Sequence, residues 1–499
     1  MSDREAAKVS VRPTNRSSGL LTCKRGQTSR IAAALAVALL AAPASATSVT
    51  VQNGADLAHA IATAQPGDTI TLLDGTYDLP AVAIAAAAGS AAAPIRLVSA
   101  LELHGATIVA AAGAEEAILV QAPYWIFDGI DFSGGTYGLR FITAGGHGVV
   151  SNALFSGQAV AGIRADCGGP DTSAHCDGGS LQAIEATRAS TVAGCAWSGV
   201  EIVGAQGWLL HDVYVHDATV DPLGCAGVNT VYGIAVRGNS SNITVDSVIL
   251  ADASIGVAFG PPSQACDVRG AVSNGASCTV PTTCEVSSSL ISNAVIYDTT
   301  FEGAQLANAC AVNLHNATLW NTGGSGGRSV EISGSGTPDV SNVIFNVAPT
   351  IASGVTSTGS GNLMLPSTAD SSWFIDTTTF NFRLLASAPA VDNGVTLTDV
   401  PDDFDGITRP QGSRYDVGAF ERPTGGYPDG GIPMLDGGID GGNPTGGGTT
   451  GSIGTTGGGQ GAPQKTGCDF GFAAGSSAGA IGLILALLLA LIVRKSVRH

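Results

Sequence analysis

The sequence of 499 residues contains 69 glycines, and only 5% of its residues are aromatic. Between positions 47 and 464, 37 acidic residues are accompanied by 11 arginines and no lysine, so this segment carries a net charge of −26. A surface this acidic repels the phosphate backbone of nucleic acids, which excludes nucleic acid as a partner. It attracts cations such as Ca²⁺, which prefers oxygen ligands, and it also keeps an exported protein soluble.

The N-terminus has the pattern of an export signal. Three basic residues within positions 24–30 precede the apolar run "IAAALAVALLAA", and "APASA" then places small residues at Ala44 and Ala46. This pattern predicts a signal peptide over residues 1–46 that is cleaved after Ala46. A retained anchor helix fits less well, because the apolar run is short and ends in a cleavage site.

The segment that follows predicts a cap for a stacked β array. "ADLAHAIATA" has apolar residues at helical spacing, and "DTITLLDGTYDL" reads as a strand, an Asp-Gly turn and a second strand. A short helix ahead of short strands suits the end of such an array, because bare strand edges and core would otherwise face water.

From about Trp125 the chain repeats itself. Five segments share a glycine followed by alternating apolar positions; they begin at Gly138, Gly162, Gly199, Gly233 and Gly256. Without the inserts in the two longest gaps, one period of about 23 residues remains. A second series, which includes "WLLHDVYVHDA" and "ITVDSVILADA", falls between them and carries Asn or Asp near the turns.

This repeat predicts an all-β fold over residues 47–422. Strands of four to six residues at such a period bury little alone, and stacked coils build a continuous core. We therefore expect a right-handed parallel β-helix with a short N-terminal capping helix and a C-terminal end motif. An antiparallel sandwich is the alternative, but the sequence lacks the regular hairpin turns that it needs.

The cysteines predict disulfides. Eight lie between positions 167 and 310, an even number that indicates four disulfides in an exported domain: Cys167, Cys176, Cys195, Cys225, Cys266, Cys278, Cys284 and Cys310. Zinc is the alternative, but no C-x-x-C pair is present. The short loop "CGGPDTSAHC" predicts a Cys167–Cys176 bond, and the other pairings stay open.

The C-terminal part predicts a stalk and an anchor. Residues 423–467 form a Gly-rich tract that cannot bury a core and should be a flexible stalk. Residues 468–499 begin with Cys468 and contain the apolar run "FAAGSSAGAIGLILALLLALIV", followed by "RKSVRH". This run is long enough to cross a bilayer, with its basic tail in the cytoplasm. We expect the membrane to be a partner through this helix, with the preceding domain outside the cell.

Several motifs carry a family resemblance. "GDTITLLDGTY…PIRLVSA", followed by the coils, resembles the opening of polysaccharide lyases of the chondroitinase-B and alginate-lyase type, which have the pectin-lyase-like β-helix fold. It also resembles exported β-helix proteins with no assigned activity. "DDFDGITRPQGSRYDVGAFE" at positions 402–421 resembles the terminal motif of anchored bacterial β-helix proteins, and residues 468–499 resemble a myxobacterial sorting signal with Cys468 as its cysteine. The resemblance implies extracellular polysaccharide as partner and a location at the cell surface or outer envelope.

The resemblance also implies where a lyase site would lie. Lyases of this type neutralise a uronate carboxylate with Ca²⁺, remove a proton with a basic side chain and donate one from a second. Arg237 takes the position of the base and Ala258 that of its partner. Thr230 and Tyr232 stand where acidic ligands are expected, and Asn229 alone matches the calcium site. We therefore predict no standard lyase catalysis, with Arg237 a solvated residue on a β face. A lyase with an altered site, in which Arg237 is the base, is the alternative.

The densest polar cluster suggests hydrolysis. "LLHDVYVHDATVD" contains His211, Asp212, His216 and Asp217, and glycoside hydrolysis needs two carboxylates that converge on one bond. Strand alternation predicts Asp212 and His216 on one face and His211 and Asp217 on the other. Stacked polar residues at turns are the alternative interpretation.

The end motif holds a candidate calcium site. Asp402, Asp403 and Asp405 either bind Ca²⁺ as a cofactor or shape turns. Taken together, the sequence predicts a surface-anchored protein that recognises or processes extracellular polysaccharide.

Overall fold

The structure is a computed structural model that describes residues 46–427, except 102–103, 143, 169–175, 189–195, 219–229, 261–283, 325–326 and 368–370. The predicted signal peptide, most of the predicted stalk and the predicted sorting signal lie outside the described residues. So do Asn229 and six of the ten cysteines, namely Cys23, Cys195, Cys225, Cys266, Cys278 and Cys468.

The described residues form one α-helix, a short 3-10 helix at Thr377–Thr379 and many short strands. The strands, in chain order, are β1 (Ser48–Val51), β2 (Thr69–Leu72), β3 (Gly75–Asp78), β4 (Ala83–Ala85), β5 (Ile95–Ser99), β6 (Ala106–Val109), β7 (Glu116–Val120), β8 (Trp125–Asp128), β9 (Ile130–Ser133), β10 (Tyr137–Ile142), β11 (Val149–Ser156), β12 (Ala161–Asp166), β13 (Ser180–Thr187), β14 (Ala196–Val203), β15 (Leu209–His216), β16 (Thr230–Arg237), β17 (Ser240–Ser241), β18 (Thr244–Asp246), β19 (Ile249–Ala251), β20 (Ile255–Phe259), β21 (Val286–Ser292), β22 (Val295–Tyr297), β23 (Glu302–Ala307), β24 (Ala309–His315), β25 (Thr318–Trp320), β26 (Arg328–Ser333), β27 (Asp339–Ser341), β28 (Ile344–Phe345), β29 (Thr350–Ile351), β30 (Leu363–Met364), β31 (Phe374–Asp376) and β32 (Asn381–Leu384).

The predicted capping helix, α1, is Gly54–Thr63. The side chain of Asn53 caps it by accepting a hydrogen bond from the backbone N–H of Asp56 at 2.9 Å. Leu57 and Ile61, four residues apart and therefore on one face of the helix, are completely buried. The helix thus covers the start of the apolar core, as the sequence predicts.

The strands stack as a right-handed parallel β-helix, which confirms the predicted fold class. Ten parallel strands, β4, β7, β10, β12, β14, β16, β20, β23, β26 and β29, form what we call the first sheet. The five repeated glycines lie in it, one per coil, and the residues that follow them are in register, as Ile234 is with both Val200 and Val257. A side chain at Gly233 would approach the carbonyl oxygen of Gly256 to 2.5 Å, so the repeat needs glycine for close coil packing.

Twenty further strands form a second sheet, which a corner divides into two faces. One residue per coil occupies this corner with a φ between 50° and 72°, the left-handed region. This corner ladder consists of Gly129, Asn152, Ala183, Asp212, Ser247, Asn293, Asn316 and Asn342. Asn and Asp adopt this conformation more readily than most residues, which explains their frequency near the turns.

Two disulfides are formed among the described cysteines. Cys167–Cys176 is the bond that the sequence predicts. Cys284–Cys310 joins consecutive coils, since Cys310 lies in β24 and pairs in register with Ser287 of β21.

Residues after β30 pack against the outside of the second sheet. An apolar cluster there includes Trp320 of β25, Phe374 of β31 and Phe420 of the end motif. Within the described part of the chain, no helix has the length and apolar character needed to cross a membrane. The membrane helix predicted for residues 472–493 lies outside that part.

Candidate functional site

Arg237 lies at the end of β16 on the outside of the first sheet, where it is buried rather than solvated. It is 9% exposed, and its Nη2 donates to the carboxylate of Glu201, which is completely buried. Arg164 donates to the other oxygen of Glu201 at 2.6 Å. The expectation of a solvated Arg237 is therefore wrong, because a neighbouring coil supplies a buried carboxylate that binds the guanidinium.

The residues aligned with the rest of a lyase site have the following places in the described structure. Ala258 is in register with Ala235 rather than with Arg237. Tyr232 is buried in a small apolar cluster that also contains both of these alanines. Thr230 begins β16, and its side chain lies outside the described residues.

A cleft of about 570 Å³ lies elsewhere, on the outside of the second sheet. Its floor consists of outward side chains from three consecutive coils, those of β15, β18 and β21. Register places Leu209, Thr244 and Leu290 in one row of the floor and His211, Asp246 and Ser292 in the next. The corner residues Asp212, Ser247 and Asn293 complete this side of the cleft.

The other side of the cleft is a wall formed by residues 399–406. This segment enters the end motif and includes Asp402, Asp403 and Asp405, the calcium candidates. The structure therefore brings two separate predictions together, because His211 and Asp212 line the same cleft.

His211 lies between two carboxylates. Its Nδ1 is 3.2 Å from Oδ2 of Asp246, and its Nε2 is 3.4 Å from Oδ2 of Asp212. The hydrogen bond with Asp246 raises the pKa of His211 above its ordinary value, although burial opposes the rise. The imidazole is thus stabilised in its charged form.

The two carboxylates have opposite pKa shifts. Burial raises the pKa of Asp212, which nearby His211 offsets only in part. Burial would also raise the pKa of Asp246, but hydrogen bonds with His211, Ser292 and Asn293 outweigh it and lower this pKa. Ser292 donates at 2.6 Å and Asn293 at 3.0 Å. Such a pair of carboxylates with separated pKa values is suited to acid–base chemistry.

The predicted alternation of the 211–217 segment is wrong. Asp212 has a φ of 54° at the corner, so the strand turns there, and both His211 and Asp212 line the cleft. His216 lies beyond the corner, where its ring nitrogens are 2.9 Å from Glu185 and from Asp217. Asp217 lies outside the cleft, at a second left-handed corner with a φ of 50°.

The calcium candidates hold the end motif together. The carboxylate of Asp403 accepts hydrogen bonds from the backbone N–H groups of Asp405, Ile407 and Glu421. Asp405 binds Nε and Nη2 of Arg383, both at 2.6 Å. In the part of the chain that the structure describes, no group of three His, Cys, Asp or Glu side chains is placed to hold a metal ion. Calcium binding at Asp402, Asp403 and Asp405 stays a prediction.

Three polar residues beside His211 and Asp212 in the cleft were not predicted from the sequence. Asp246, Ser292 and Asn293 lie one and two coils beyond His211 and Asp212, in register with them. Alignment of "LLHDVYVHDA" with "ITVDSVILADA" at the coil period would have found Asp246. The pairing of Ser292 was hidden by the long insert before β21.

No family model matches the sequence, and no curated protein matches it. The crystal structure of the pectate lyase Pel9A is similar, with a TM-score of 0.53, 16% sequence identity, and coverage of 76% of this chain and 97% of that chain. The fold is the parallel β-helix of that pectate lyase. At this identity the similarity establishes the fold alone.

Two other solved structures are less similar. An alginate lyase from Paenibacillus sp. str. FPU-7 has a TM-score of 0.43 and 13% identity, with coverage of 64% of this chain and 99% of that chain. A rhamnogalacturonan lyase has a TM-score of 0.43 and 12% identity, with coverage of 72% and 99%.

Proposed function

We propose that this chain is an exported β-helix protein that binds extracellular polysaccharide in the cleft and does not catalyse a lyase reaction at Arg237. The observation that carries the proposal is the floor of the cleft. Exposed Leu209 and partly exposed Leu290 lie beside the hydrogen-bonding groups of Asp246 and Ser292. Apolar surface with a few fixed polar groups is typical of ligand sites. Successive coils, about 4.8 Å apart, repeat such surface along the axis of the β-helix. A solved structure that shares the fold is a pectate lyase, which supports a polysaccharide ligand.

The state of Arg237 supports the absence of lyase chemistry. A base must be free to accept a proton, whereas this guanidinium is bound to buried Glu201. Arginine also stays protonated at any ordinary pH. The alternative, a lyase with an altered site, requires Arg237 to leave that ion pair.

The charge of the cleft favours neutral or amine-bearing sugars. Among the described residues, aspartates line both sides of the cleft and no lysine or arginine does. A uronate polymer would meet like charge there, in a segment whose net charge is −26. Alginate and chondroitin are therefore expected to bind poorly.

Location at the cell surface is part of the proposal. The disulfides Cys167–Cys176 and Cys284–Cys310 support an oxidising compartment outside the cytoplasm. The signal peptide at residues 1–46 and the sorting signal at 468–499 would direct export and anchoring, with membrane contact through the C-terminal helix. Residues 423–467 would hold the β-helix away from the membrane.

A polysaccharide panel tests the binding site. The full chain, extracted in detergent, is expected to bind at least one neutral or amine-bearing polysaccharide. Leu209→Ala removes apolar surface from the floor and is expected to weaken binding about five-fold, the equivalent of roughly 1 kcal/mol. Ile84, which is similarly exposed on the first sheet, supplies the control, and Ile84→Ala should leave the Kd unchanged. Equal effects of both substitutions would place the ligand elsewhere.

Glycoside hydrolysis is the second candidate function. The separated pKa values of Asp212 and Asp246 on either side of His211 favour it, since an inverting hydrolase needs one protonated and one ionised carboxyl group. Release of new reducing ends that Asp212→Asn abolishes would establish hydrolysis. Binding without product would leave recognition as the function.

A further inference from the structure

The end motif, residues 402–421, is docked on the corner ladder. Nδ2 of Asn316 donates to the carbonyl oxygens of Asp416 and Gly418, both at 3.2 Å. The backbone of Gly418 in turn donates to the carbonyl oxygen of Asn342 at 2.9 Å. Asparagines on successive coils therefore hold the backbone of the motif. Asn316 and Asp416, for example, are 100 residues apart in the sequence.

Asn293, on the coil before Asn316, has a different set of partners. Its Nδ2 donates to Oδ1 of Asp246 at 3.0 Å and to the carbonyl oxygen of Asp402 at 3.1 Å. Asp246 belongs to the floor of the cleft and Asp402 to its wall. Since Asn293 is only 3% exposed, one buried amide joins the two sides of the cleft.

The same side chain is fixed from behind by a buried ion pair. Oδ1 of Asn293 accepts a hydrogen bond from Nη2 of Arg409 at 3.3 Å. Nη1 of Arg409 binds Glu421 at 2.9 Å, and both of these side chains are completely inaccessible to solvent. Arg409 also donates to the carbonyl oxygens of Gly418 and Ala419. Asn293 is therefore held in one orientation, with both its amide donor group and its carbonyl oxygen engaged.

We infer that the end motif is a functional part of the cleft, in which residues 399–406 form a fixed wall and Asn293 is the positioning residue that sets this wall against the floor. The identity of the ligand rests on the function proposed above. The position of the wall does not, since it follows from contacts within the chain. The motif at positions 402–421 thereby acquires a role in recognition besides closing the β-helix.

Asn293→Gly tests this role, and Asn316→Gly is a matched control. Both asparagines are buried, both have a φ of 50°, which glycine adopts without strain, and both dock the end motif. Only Asn293 contacts the floor of the cleft. Asn293→Asp, which keeps the acceptor for Arg409 but loses the donated bonds, is a second variant should the glycine variant not fold.

The ligand-free readout is hydrogen–deuterium exchange of the full chain in detergent. We expect the amides of residues 399–406 to exchange at least about ten-fold faster in Asn293→Gly than in Asn316→Gly, because only the first variant releases the wall from the floor. Equal exchange of this segment in the two variants would overturn the inference. The exchange measurement needs no ligand. It therefore tests the role of Asn293 separately from the proposed polysaccharide binding.

The functional readout is the pH profile of polysaccharide binding. The ionisable side chains that line the cleft with Asp246 are His211 and Asp212 on the preceding coil and Asp399, Asp402, Asp403 and Asp405 on the wall. Asn293→Gly removes one hydrogen bond that stabilises the ionised form of Asp246, which raises the pKa of Asp246. As the pH is lowered, this variant should therefore lose polysaccharide binding at a higher pH than the parent. At neutral pH its Kd should be about ten-fold weaker. The Asn316→Gly profile should match the parent. Parallel profiles for all three proteins would contradict the assignment of Asn293.

Discussion

Arg237 and Glu201 form a buried ion pair on the outside of the first sheet, and Arg164 binds the second oxygen of the same carboxylate. Glu201 has no exposed surface, and its carboxylate is paired with both guanidinium groups. Arg237, which aligns with the position of a lyase base, therefore has a structural role in the stack of coils.

We predict that Arg237→Ala destabilises the fold by roughly 3 kcal/mol. The substitution leaves Glu201 buried with one of its two partners, and breaking a buried ion pair typically costs about 3 to 5 kcal/mol. Urea unfolding followed by circular dichroism measures the change. Arg96→Ala, at an exposed arginine of β5, should shift the midpoint far less. Equal midpoints for Arg237→Ala and the parent would contradict the pairing with Glu201.

We predict that Asp246→Asn lowers the pKa of His211. The hydrogen bond with Asp246 raises this pKa in the folded protein, so the pair stabilises the fold below the ordinary histidine pKa and loses this contribution as the pH rises through the raised value. NMR titration of the imidazole ring measures the pKa directly. Asp217→Asn, which removes a partner of His216, should leave the His211 titration in place. Equal effects of the two variants on His211 would refute the cleft geometry.

We predict that the end motif becomes less stable as the pH rises from about 4 to about 6. Burial raises the pKa of Asp416 from 3.8 to about 6, so the folded state holds a proton that the unfolded state releases in this range. Asp416→Asn removes the proton and should flatten this part of the pH dependence relative to the parent. The measurement is the difference in unfolding midpoint between the two proteins at pH 4 and pH 7. A parent that gains stability relative to Asp416→Asn over this range would show the opposite sign.

We predict that Cys284→Ser is more destabilising than Cys167→Ser. The two bonds close loops with sequence separations of 26 and 9 residues, and the entropy that a disulfide removes from the unfolded chain grows with loop length. On that account the difference is about 1 kcal/mol. Unfolding midpoints of the two single variants under otherwise identical conditions test it. A larger effect of Cys167→Ser would indicate that strain or local packing decides instead.

The fold could be predicted because the sequence repeats with the period of one coil. Glycines such as Gly199 and Gly233 recur where coils approach closely, and each is followed by inward apolar residues. The capping helix and the Cys167–Cys176 bond are local features, so they too could be predicted. Cys284–Cys310 depends on which coils become neighbours, and eight cysteines permit 105 pairings.

The candidate site could be predicted only in part. The sequence predicts His211 and Asp212 as part of a polar cluster. Strand alternation assigns them to opposite faces, which is wrong because the left-handed corner at Asp212 turns the chain. The wall comes from residues 399–406, at the start of the end motif and far along the chain, and its contact with Asn293 has no local signal in the sequence. Arg237 was expected to be solvated because its partner Glu201 lies one coil earlier, beyond the reach of local patterns.

Polysaccharide binding and product release can be measured together, with the full chain and a panel of neutral, amine-bearing and uronate polysaccharides. We predict saturable binding of a neutral or amine-bearing polymer, weakened by Leu209→Ala and unaffected by Ile84→Ala, with no unsaturated uronate product from any member of the panel. Unsaturated uronate released by the wild-type chain and abolished by Arg237→Ala would contradict the account, because it would place a lyase site at the ion pair with Glu201.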